Sequence, residues 1–227
     1  MVQPKPGVSL FISAVNCPFF IEYLVDFIGR RKIDRGIETG TRQGATTSVL
    51  AQLLPRVDTI EFNLLAFKMS KYNLSDIPNI TMHLGESPTI LRTLLTEGEE
   101  NVFIFLDAHG NDRFAPNPIK LELQSIADKK VKPFMIIHDF EPLGLDGYSM
   151  GINNMANCKR FFNAIYGVGG FEFYFNSVET YAQLGSFDGP SLYNGTFTDG
   201  HVGYPKTKSE TGSGVIFISP RNWKEQQ

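Results

Sequence analysis

The fold is decided by residues 37–44, Ile37-Glu38-Thr39-Gly40-Thr41-Arg42-Gln43-Gly44. A short run that we interpret as a strand, residues 33–38, leads into this stretch, and a segment with helical spacing follows from Thr46. Glycines suit such a turn because they accept positive φ and let a ligand approach the backbone closely. Free N–H groups at the start of the following helix attract an anionic group. The stretch therefore predicts a strand, a tight ligand-binding turn and a helix.

Further strand-like runs alternate with helical segments along the chain. The predicted strands cover residues 33–38, 57–62, 80–84, 102–106 and 134–137. The predicted helices between them cover residues 46–54, 64–72, 88–95 and 118–127. Such alternation is typical of βαβ units, which build a parallel sheet with helices on both faces. We therefore predict an α/β fold.

The chain is predicted to form one domain over residues 1–227. A length of 227 residues suffices for one large α/β core but hardly for two. Ahead of the first strand, an apolar pattern with helical spacing predicts a helix from Pro18 to Ile28. This helix belongs to an N-terminal helical extension, residues 1–32.

The last third of the chain departs from the alternation. A helix is predicted at residues 157–166, and strands follow at residues 171–175 and 214–218. Residues 177–213, between these strands, are rich in Gly, Ser, Thr, Asn and Tyr and form a loop that is long for a compact domain. We interpret this loop as a lid or a substrate-recognition element, with an insertion that has no function as the alternative.

Composition limits the partners that the chain can have. It contains 21 Lys and Arg residues against 24 Asp and Glu residues, and no run of basic residues is interleaved with aromatic ones. We therefore do not expect nucleic acid to be its main partner. The two cysteines, Cys17 and Cys158, lie far apart without a Cys-x-x-Cys spacing, which indicates neither a disulfide framework nor a thiolate metal site.

The apolar stretch of residues 8–28 raises the question of a signal peptide or a membrane span. Pro18, Glu22 and Asp26 interrupt this stretch. It also lacks a basic cluster before it and a small-residue cleavage pattern after it. We therefore expect a cytoplasmic protein with no membrane partner.

The pattern Glu38-x-Gly40-x-x-x-Gly44 resembles the first motif of class I S-adenosylmethionine-dependent methyltransferases. In that family the acid of the motif lies near the amino group of the cofactor. Glu61 follows about 20 residues beyond the loop, at the end of the second predicted strand. These enzymes hold the ribose hydroxyls with a carboxylate at that place.

Two later positions agree with the resemblance. Gly85-Glu86-Ser87, after the third predicted strand, resembles the segment that reads the adenine ring, and Asp107 ends the fourth strand. The resemblance implies a Rossmann-like methyltransferase fold, with a mostly parallel seven-stranded sheet, helices on both faces and an antiparallel C-terminal strand. The cofactor-binding residues that it implies are Glu38, Gly40, Thr41, Gly44, Glu61, Glu86, Ser87 and Asp107.

Titratable residues follow the fourth and fifth predicted strands, as Asp107-Ala108-His109 and His138-Asp139. The carboxyl ends of neighbouring parallel strands line one crevice, so these side chains should converge. The pairing resembles metal-dependent O-methyltransferases of the catechol and macrocin types, and the metal ligands carried over are Asp107, His138 and Asp139. Because those families usually offer an oxygen ligand where His138 stands, Mn²⁺, Fe²⁺ or Zn²⁺ are alternatives to Mg²⁺.

The resemblance implies methyl transfer from S-adenosylmethionine to a hydroxyl group. The sulfonium leaves without assistance, whereas a divalent metal would lower the pKa of the acceptor hydroxyl and hold it in line. The candidate catalytic residues are Asp107 and His109, with His109 as general base because an imidazole titrates near neutral pH. By analogy with the family, the acceptor would be a small molecule or a sugar. The sequence indicates no oligomeric state.

Two other functions compete with this hypothesis. An NAD(P)-dependent oxidoreductase would use the same strand, turn and helix, but the chain lacks the Gly-x-Gly-x-x-Gly pattern at the turn. A non-catalytic methyltransferase-like binding module would contact a partner through its long loop. The expected convergence of titratable residues after the fourth and fifth strands argues against such a module.

Two further titratable residues receive no functional role. His83 lies on a strand with alternating pattern and is predicted to be packed or at the surface. Glu122 lies in the helix after Pro118 and is predicted to be part of a solvated face or a helix-stabilising charge.

Overall fold

A computed structural model describes residues 18–108, 118–140, 155–175 and 214–221. The helices in these segments are α1 (Pro18–Gly29), α2 (Ala45–Leu53), α3 (Leu64–Asn73), α4 (Ser87–Leu94), α5 (Ile119–Asp128) and α6 (Met155–Tyr166). The strands are β1 (Arg35–Thr39), β2 (Val57–Glu61), β3 (Ile80–Leu84), β4 (Val102–Leu106), β5 (Phe134–Phe140), β6 (Phe171–Phe175) and β7 (Gly214–Pro220). Every helix and strand predicted from the sequence is present, with small shifts at the ends.

The strands form one seven-stranded sheet in the order β3-β2-β1-β4-β5-β7-β6. Strands β1 to β5 pair in parallel, whereas β7 pairs antiparallel with both β5 and β6. The expected mostly parallel sheet with an antiparallel C-terminal strand is confirmed.

Both faces of the sheet are covered because the central strands are apolar on both sides. In β4, Phe103 and Phe105 pack into one core, and Ile104 and Leu106 pack into the other. Helices α1 and α2 cover the first face, and α4, α5 and α6 cover the second. Fully buried strands of this kind are typical of parallel sheets between helical layers.

The strand order reverses between β1 and β4, which are neighbours at the centre of the sheet. Chain connections leave these two strands toward opposite sides, and the loops after them therefore open a crevice at their carboxyl ends. We call the end of the sheet where β1 to β4 terminate the carboxyl edge.

The structure corrects the prediction for Glu122. This residue lies in the first turn of α5 and is buried, which makes the solvated alternative wrong and agrees in position with the helix-stabilising one. The first turn of a helix favours an acid because of the positive end of the helix dipole.

The predicted long loop, residues 177–213, lies outside the described residues. None of the described helices combines the length and the apolar composition that crossing a membrane requires.

Candidate cofactor site

The loop after β1, residues 40–44, is bound to the end of β2. We call it the glycine loop. The main-chain N–H groups of Gly40 and Thr41 both donate to the carbonyl oxygen of Ile60, at 2.9 and 3.2 Å. Gly40, Arg42 and Gly44 have positive φ values of 85°, 51° and 87°. This backbone conformation explains the glycines at both ends of the loop.

Gly40 is also required by a close contact with the loop after β4. A β-carbon at this position would lie 2.3 Å from the carbonyl oxygen of Asp107 and 3.0 Å from the α-carbon of Ala108. The main-chain N–H of Asp107 in turn donates to the carbonyl oxygen of Thr39 at 3.1 Å. The ends of β1 and β4 are therefore packed backbone to backbone.

The carboxyl group of Glu38 lies beneath helix α2 and is 1% exposed. It is there because alternate residues of β1 point to the helical layer that contains α2. Its Oε2 accepts hydrogen bonds from the hydroxyl of Thr47 in α2 and, at 2.6 Å, from the hydroxyl of Thr59 in β2. Burial raises the pKa of Glu38 to about 8; the two hydroxyls oppose this shift, and the charges of Asp107 and Glu61 add to it.

Glu61 is held at the end of β2 by main-chain donors. The N–H of Arg42 donates to Oε2 at 2.7 Å, and the N–H of Asn63 donates to Oε1 at 2.7 Å. The N–H of Gly85, after β3, donates to the main-chain oxygen of Glu61 at 2.9 Å. Because a carboxylate oxygen has more than one lone pair, both oxygens can still accept a ligand hydroxyl.

Two neighbours of Glu61 were missed in the sequence prediction. Asn63 caps helix α3, with its side-chain oxygen accepting from the N–H groups of Leu65 and Ala66 at 2.9 and 3.1 Å. An Asn immediately before a helical segment is a recognisable cap and could have been found. Phe62 lies between these residues and is 73% exposed, which is unusual for an aromatic ring.

The loop between β3 and α4 contributes the third side of the site. Gly85 has a φ of 154°, and Glu86, at the N-cap of α4, is exposed and makes no side-chain capping bond. Ser87 is buried at the start of the helix. The structure thus brings this loop, Glu61 and the glycine loop to the same edge of the sheet.

Two of the predicted site residues, Thr41 and Gly44, pack against other parts of the protein. The hydroxyl of Thr41 lies 2.6 Å from that of Thr59 and is buried, so its side chain belongs to the support of Glu38. Gly44 lies at the N-cap of α2, where a β-carbon would meet the side chain of Leu74 at 2.8 Å. As the N-cap residue of α2, Gly44 has no side chain that could cap the helix.

At the ends of β4 and β5, Asp107 and His138 are in contact. The Nδ1 atom of His138 lies 3.0 Å from Oδ1 of Asp107, with side chains that are 7% and 22% exposed. His109 and the side chain of Asp139 lie outside the described residues. Within the described segments, no group of three His, Cys, Asp or Glu residues is arranged to hold a metal ion.

His83 contacts a different group of residues from those that line this crevice. Its Nε2 atom lies 2.9 Å from Oδ1 of the buried Asp58, which also contacts Arg35 and Arg56. The prediction that His83 is packed and not part of the site agrees with this position.

No protein-family model and no curated protein sequence matches the chain. Solved structures do resemble it. An O-methyltransferase from Bacillus cereus in complex with S-adenosylhomocysteine has a TM-score of 0.55 and 15% identity, over 94% of this chain and 84% of that chain. The O-methyltransferase TomG from Streptomyces achromogenes, in complex with S-adenosylmethionine, has a TM-score of 0.52 and 17% identity, over 96% and 92%.

An rRNA methylase from Streptococcus thermophilus also resembles the chain, with a TM-score of 0.50 and 12% identity, over 90% of this chain and 96% of that chain. Proteins with one fold can therefore act on different acceptors, and the fold leaves a nucleic acid acceptor open. At these identities the likeness concerns the fold alone. The chain has the fold of the class I, S-adenosylmethionine-dependent methyltransferases.

Proposed function

We propose that this chain is an S-adenosylmethionine-dependent methyltransferase that binds its cofactor at the carboxyl edge. The observation that carries the proposal is the placement of three acids, Glu38, Glu61 and Asp107, at the ends of β1, β2 and β4. S-adenosylmethionine has a sulfonium and an ammonium group against one carboxylate, and its net charge is positive. Three acids at one edge favour such a ligand electrostatically.

Each part of the cofactor has a suitable partner in this arrangement. Glu61, with its oxygens fixed by two N–H groups, accepts the ribose hydroxyls. The N-terminus of α2, which begins after Gly44, suits the carboxylate of the cofactor because helix N-termini favour anionic groups. Phe62 offers an exposed ring next to Glu61, on which the adenine stacks, with Glu86 and Ser87 on the neighbouring loop.

Methyl transfer requires an acceptor oxygen in line with the sulfonium methyl group. Asp107 and His138 lie on the crevice side of the glycine loop and can position the acceptor hydroxyl. His109, two residues after Asp107, is the candidate general base. By family analogy the acceptor is a small molecule or a sugar.

The contact between Asp107 and His138 also fits a divalent metal. Nδ1 of His138 and Oδ1 of Asp107, which lie 3.0 Å apart, would both be donors to such an ion. Asp139 would be the third ligand. When bound, such an ion supplies Lewis-acid activation of a hydroxyl group. The mixed nitrogen and oxygen donors suit Mn²⁺, Fe²⁺ or Zn²⁺ as well as Mg²⁺.

The competing oxidoreductase function is disfavoured by the acids beside the glycine loop. A nicotinamide dinucleotide would bring an anionic pyrophosphate to this loop, close to Glu61 and Asp107. Like charges at short distance raise the free energy of such a complex. A non-catalytic module would bind S-adenosylmethionine without transferring its methyl group to any acceptor.

Calorimetric titration with S-adenosylmethionine and, separately, with NAD tests the proposal. We expect binding of S-adenosylmethionine and none of NAD. Glu61→Gln should weaken the binding of S-adenosylmethionine at least tenfold, about 1.4 kcal/mol. The reason is that only the oxygen of the amide can accept a hydrogen bond, whereas both oxygens of the carboxylate can. Glu97→Gln, in an exposed ion pair with Lys130, is the matched control and should change nothing. Binding of NAD alone, or binding that is indifferent to Glu61→Gln in a folded variant, would overturn the assignment.

A further inference from the structure

The surroundings of Glu38 differ from those of the other two acids at the carboxyl edge. Glu61 has main-chain N–H donors on both oxygens, and Asp107 has the imidazole of His138 at 3.0 Å. Among the described residues, Glu38 is bonded to threonine hydroxyls alone. The charged groups in this part of the chain that act on it are Asp107 and Glu61, and both are acids.

Ionising a buried carboxyl group that has neither a cation nor an N–H donor beside it costs much free energy. The charges of Asp107 and Glu61 increase this cost because they repel a further negative charge. In the absence of ligand at neutral pH, Glu38 is therefore mostly a neutral acid, in agreement with its pKa of about 8.

The hydrogen bonds around Glu38 leave one of its oxygens available. Thr59 donates its single hydroxyl proton to Oε2, so Thr41 must donate to Thr59 across their 2.6 Å contact. Thr47 donates to the same Oε2. Within the described segments, Oε1 receives no donor, and it is the atom that can carry the proton or face a ligand cation.

We propose that binding of the cofactor's amino-acid portion ionises Glu38, so that one proton leaves the protein for each molecule bound. The O–H bond at Oε1 breaks, the proton passes to solvent, and the resulting carboxylate pairs with the ligand ammonium. The inference rests on the proposed function, because it requires the amino acid portion over the glycine loop.

Calorimetry in two buffers with different ionisation enthalpies measures this proton directly. At pH 7.0 we expect release of about one proton per S-adenosylhomocysteine bound, and close to none for 5′-methylthioadenosine, which has the same adenine and ribose but lacks the amino-acid portion. Glu38→Gln keeps an oxygen that accepts from Thr47 and Thr59. It should lower the release with S-adenosylhomocysteine to near zero. Because the ligand amino group titrates equally in both proteins, the difference isolates Glu38.

A second measurement does not depend on a variant. The affinity of the natural protein for S-adenosylhomocysteine should rise with pH between 6 and 7.5, approaching tenfold per unit for one released proton. The affinity for 5′-methylthioadenosine should stay constant over this range.

The outcomes separate the two proposals. Binding of S-adenosylhomocysteine without proton release, or equal release by the natural protein and Glu38→Gln, overturns the role of Glu38 and leaves the cofactor assignment standing. If S-adenosylhomocysteine does not bind to folded protein at all, the proposed function fails as well. Circular dichroism establishes folding of the variant beforehand.

Discussion

Gly40 touches the main chain of Asp107 so closely that no side chain fits between them. An added β-carbon would lie 2.3 Å from the carbonyl oxygen and 2.7 Å from the carbonyl carbon of Asp107. The contact joins the loop after β1 to the loop after β4, across the point where the strand order reverses. Gly40 thus holds the two sides of the crevice together, in addition to any contact with a cofactor.

Gly40→Ala should therefore lower the free energy of unfolding by more than its positive φ alone would cause. Its φ of 85° alone costs an alanine about 1–2 kcal/mol, and the clash with Asp107 adds to this because main-chain atoms cannot rotate away. Gly98→Ala is the matched control, since Gly98 has a φ of 70° but nothing within 4 Å of the added carbon. Urea denaturation measures the free energy of unfolding of both variants. Equal losses for the two variants would contradict the packing role of Gly40.

The free energy of unfolding should depend on pH through Glu38. The folded protein keeps this proton up to about pH 8, whereas the unfolded chain loses it near 4.5. The contribution of Glu38 to the free energy of unfolding is therefore fully present below pH 4.5. It declines as the pH rises toward 8, by at most about 1.4 kcal/mol per pH unit. Glu38→Gln removes this decline, so its stability relative to the natural protein should increase with pH. A difference that is constant from pH 5 to 8 would exclude a neutral Glu38.

The fold could be predicted almost completely from the sequence, because each element has a local signal. Strand β4 is a continuous apolar run, which is typical of a strand buried on both faces. Helix α4 begins at a Ser-Pro pair, and proline in the first turn is a recognised start signal. Strand β5 was predicted too short because His138-Asp139 breaks its apolar run.

The support of the site could be predicted only in part, because it depends on contacts between distant residues. Glu38 meets Thr47 and Thr59 because the sheet register places β1 beside β2 and α2 above them. No local pattern specifies that combination. The same reason explains Glu122, whose burial results from the packing of α5 and not from its own neighbours in sequence.

A buried ion network at the opposite end of the sheet should be important for stability. Arg35 forms a bidentate pair with Glu99 at 2.6 and 2.7 Å and reaches the buried Asp58 at 3.4 Å. Arg35→Ala should cost about 3 kcal/mol, because it removes the bidentate partner of the part-buried Glu99 and weakens the pairing of the buried Asp58, which keeps Arg56. Lys130→Ala, which breaks the exposed pair with Glu97, is the control and should leave the thermal midpoint unchanged. Similar midpoints for both variants would show that the network is not stabilising.

Phe62→Ala should weaken cofactor binding without affecting the fold. Loss of a stacked base costs about 1–3 kcal/mol, roughly tenfold or more in affinity. Val168→Ala is the control, because it also shortens an exposed apolar side chain, 90% exposed against 73% for Phe62, but lies in the turn between α6 and β6. Titration with S-adenosylhomocysteine compares them. If both variants bind as the natural protein does, the adenine lies elsewhere.

Metal binding can be measured without knowing the acceptor. Electron paramagnetic resonance of added Mn²⁺ should show a bound ion in the natural protein. The signal of free Mn²⁺ should return in Asp107→Asn and in His138→Ala, because the first removes the negative charge of the carboxylate and the second removes the imidazole donor. His83→Ala, which alters a histidine paired with Asp58, should bind Mn²⁺ normally. Binding that survives both site variants, or no binding by the natural protein, would remove the metal from the proposal.

The most direct test of the central claim is a crystal structure of the protein with S-adenosylhomocysteine. We expect density over the glycine loop, with the ribose hydroxyls on the carboxylate of Glu61 and the adenine against Phe62. Density for the ligand at any other place, or a crevice filled by protein side chains while the ligand binds in solution, would contradict the assignment of the carboxyl edge.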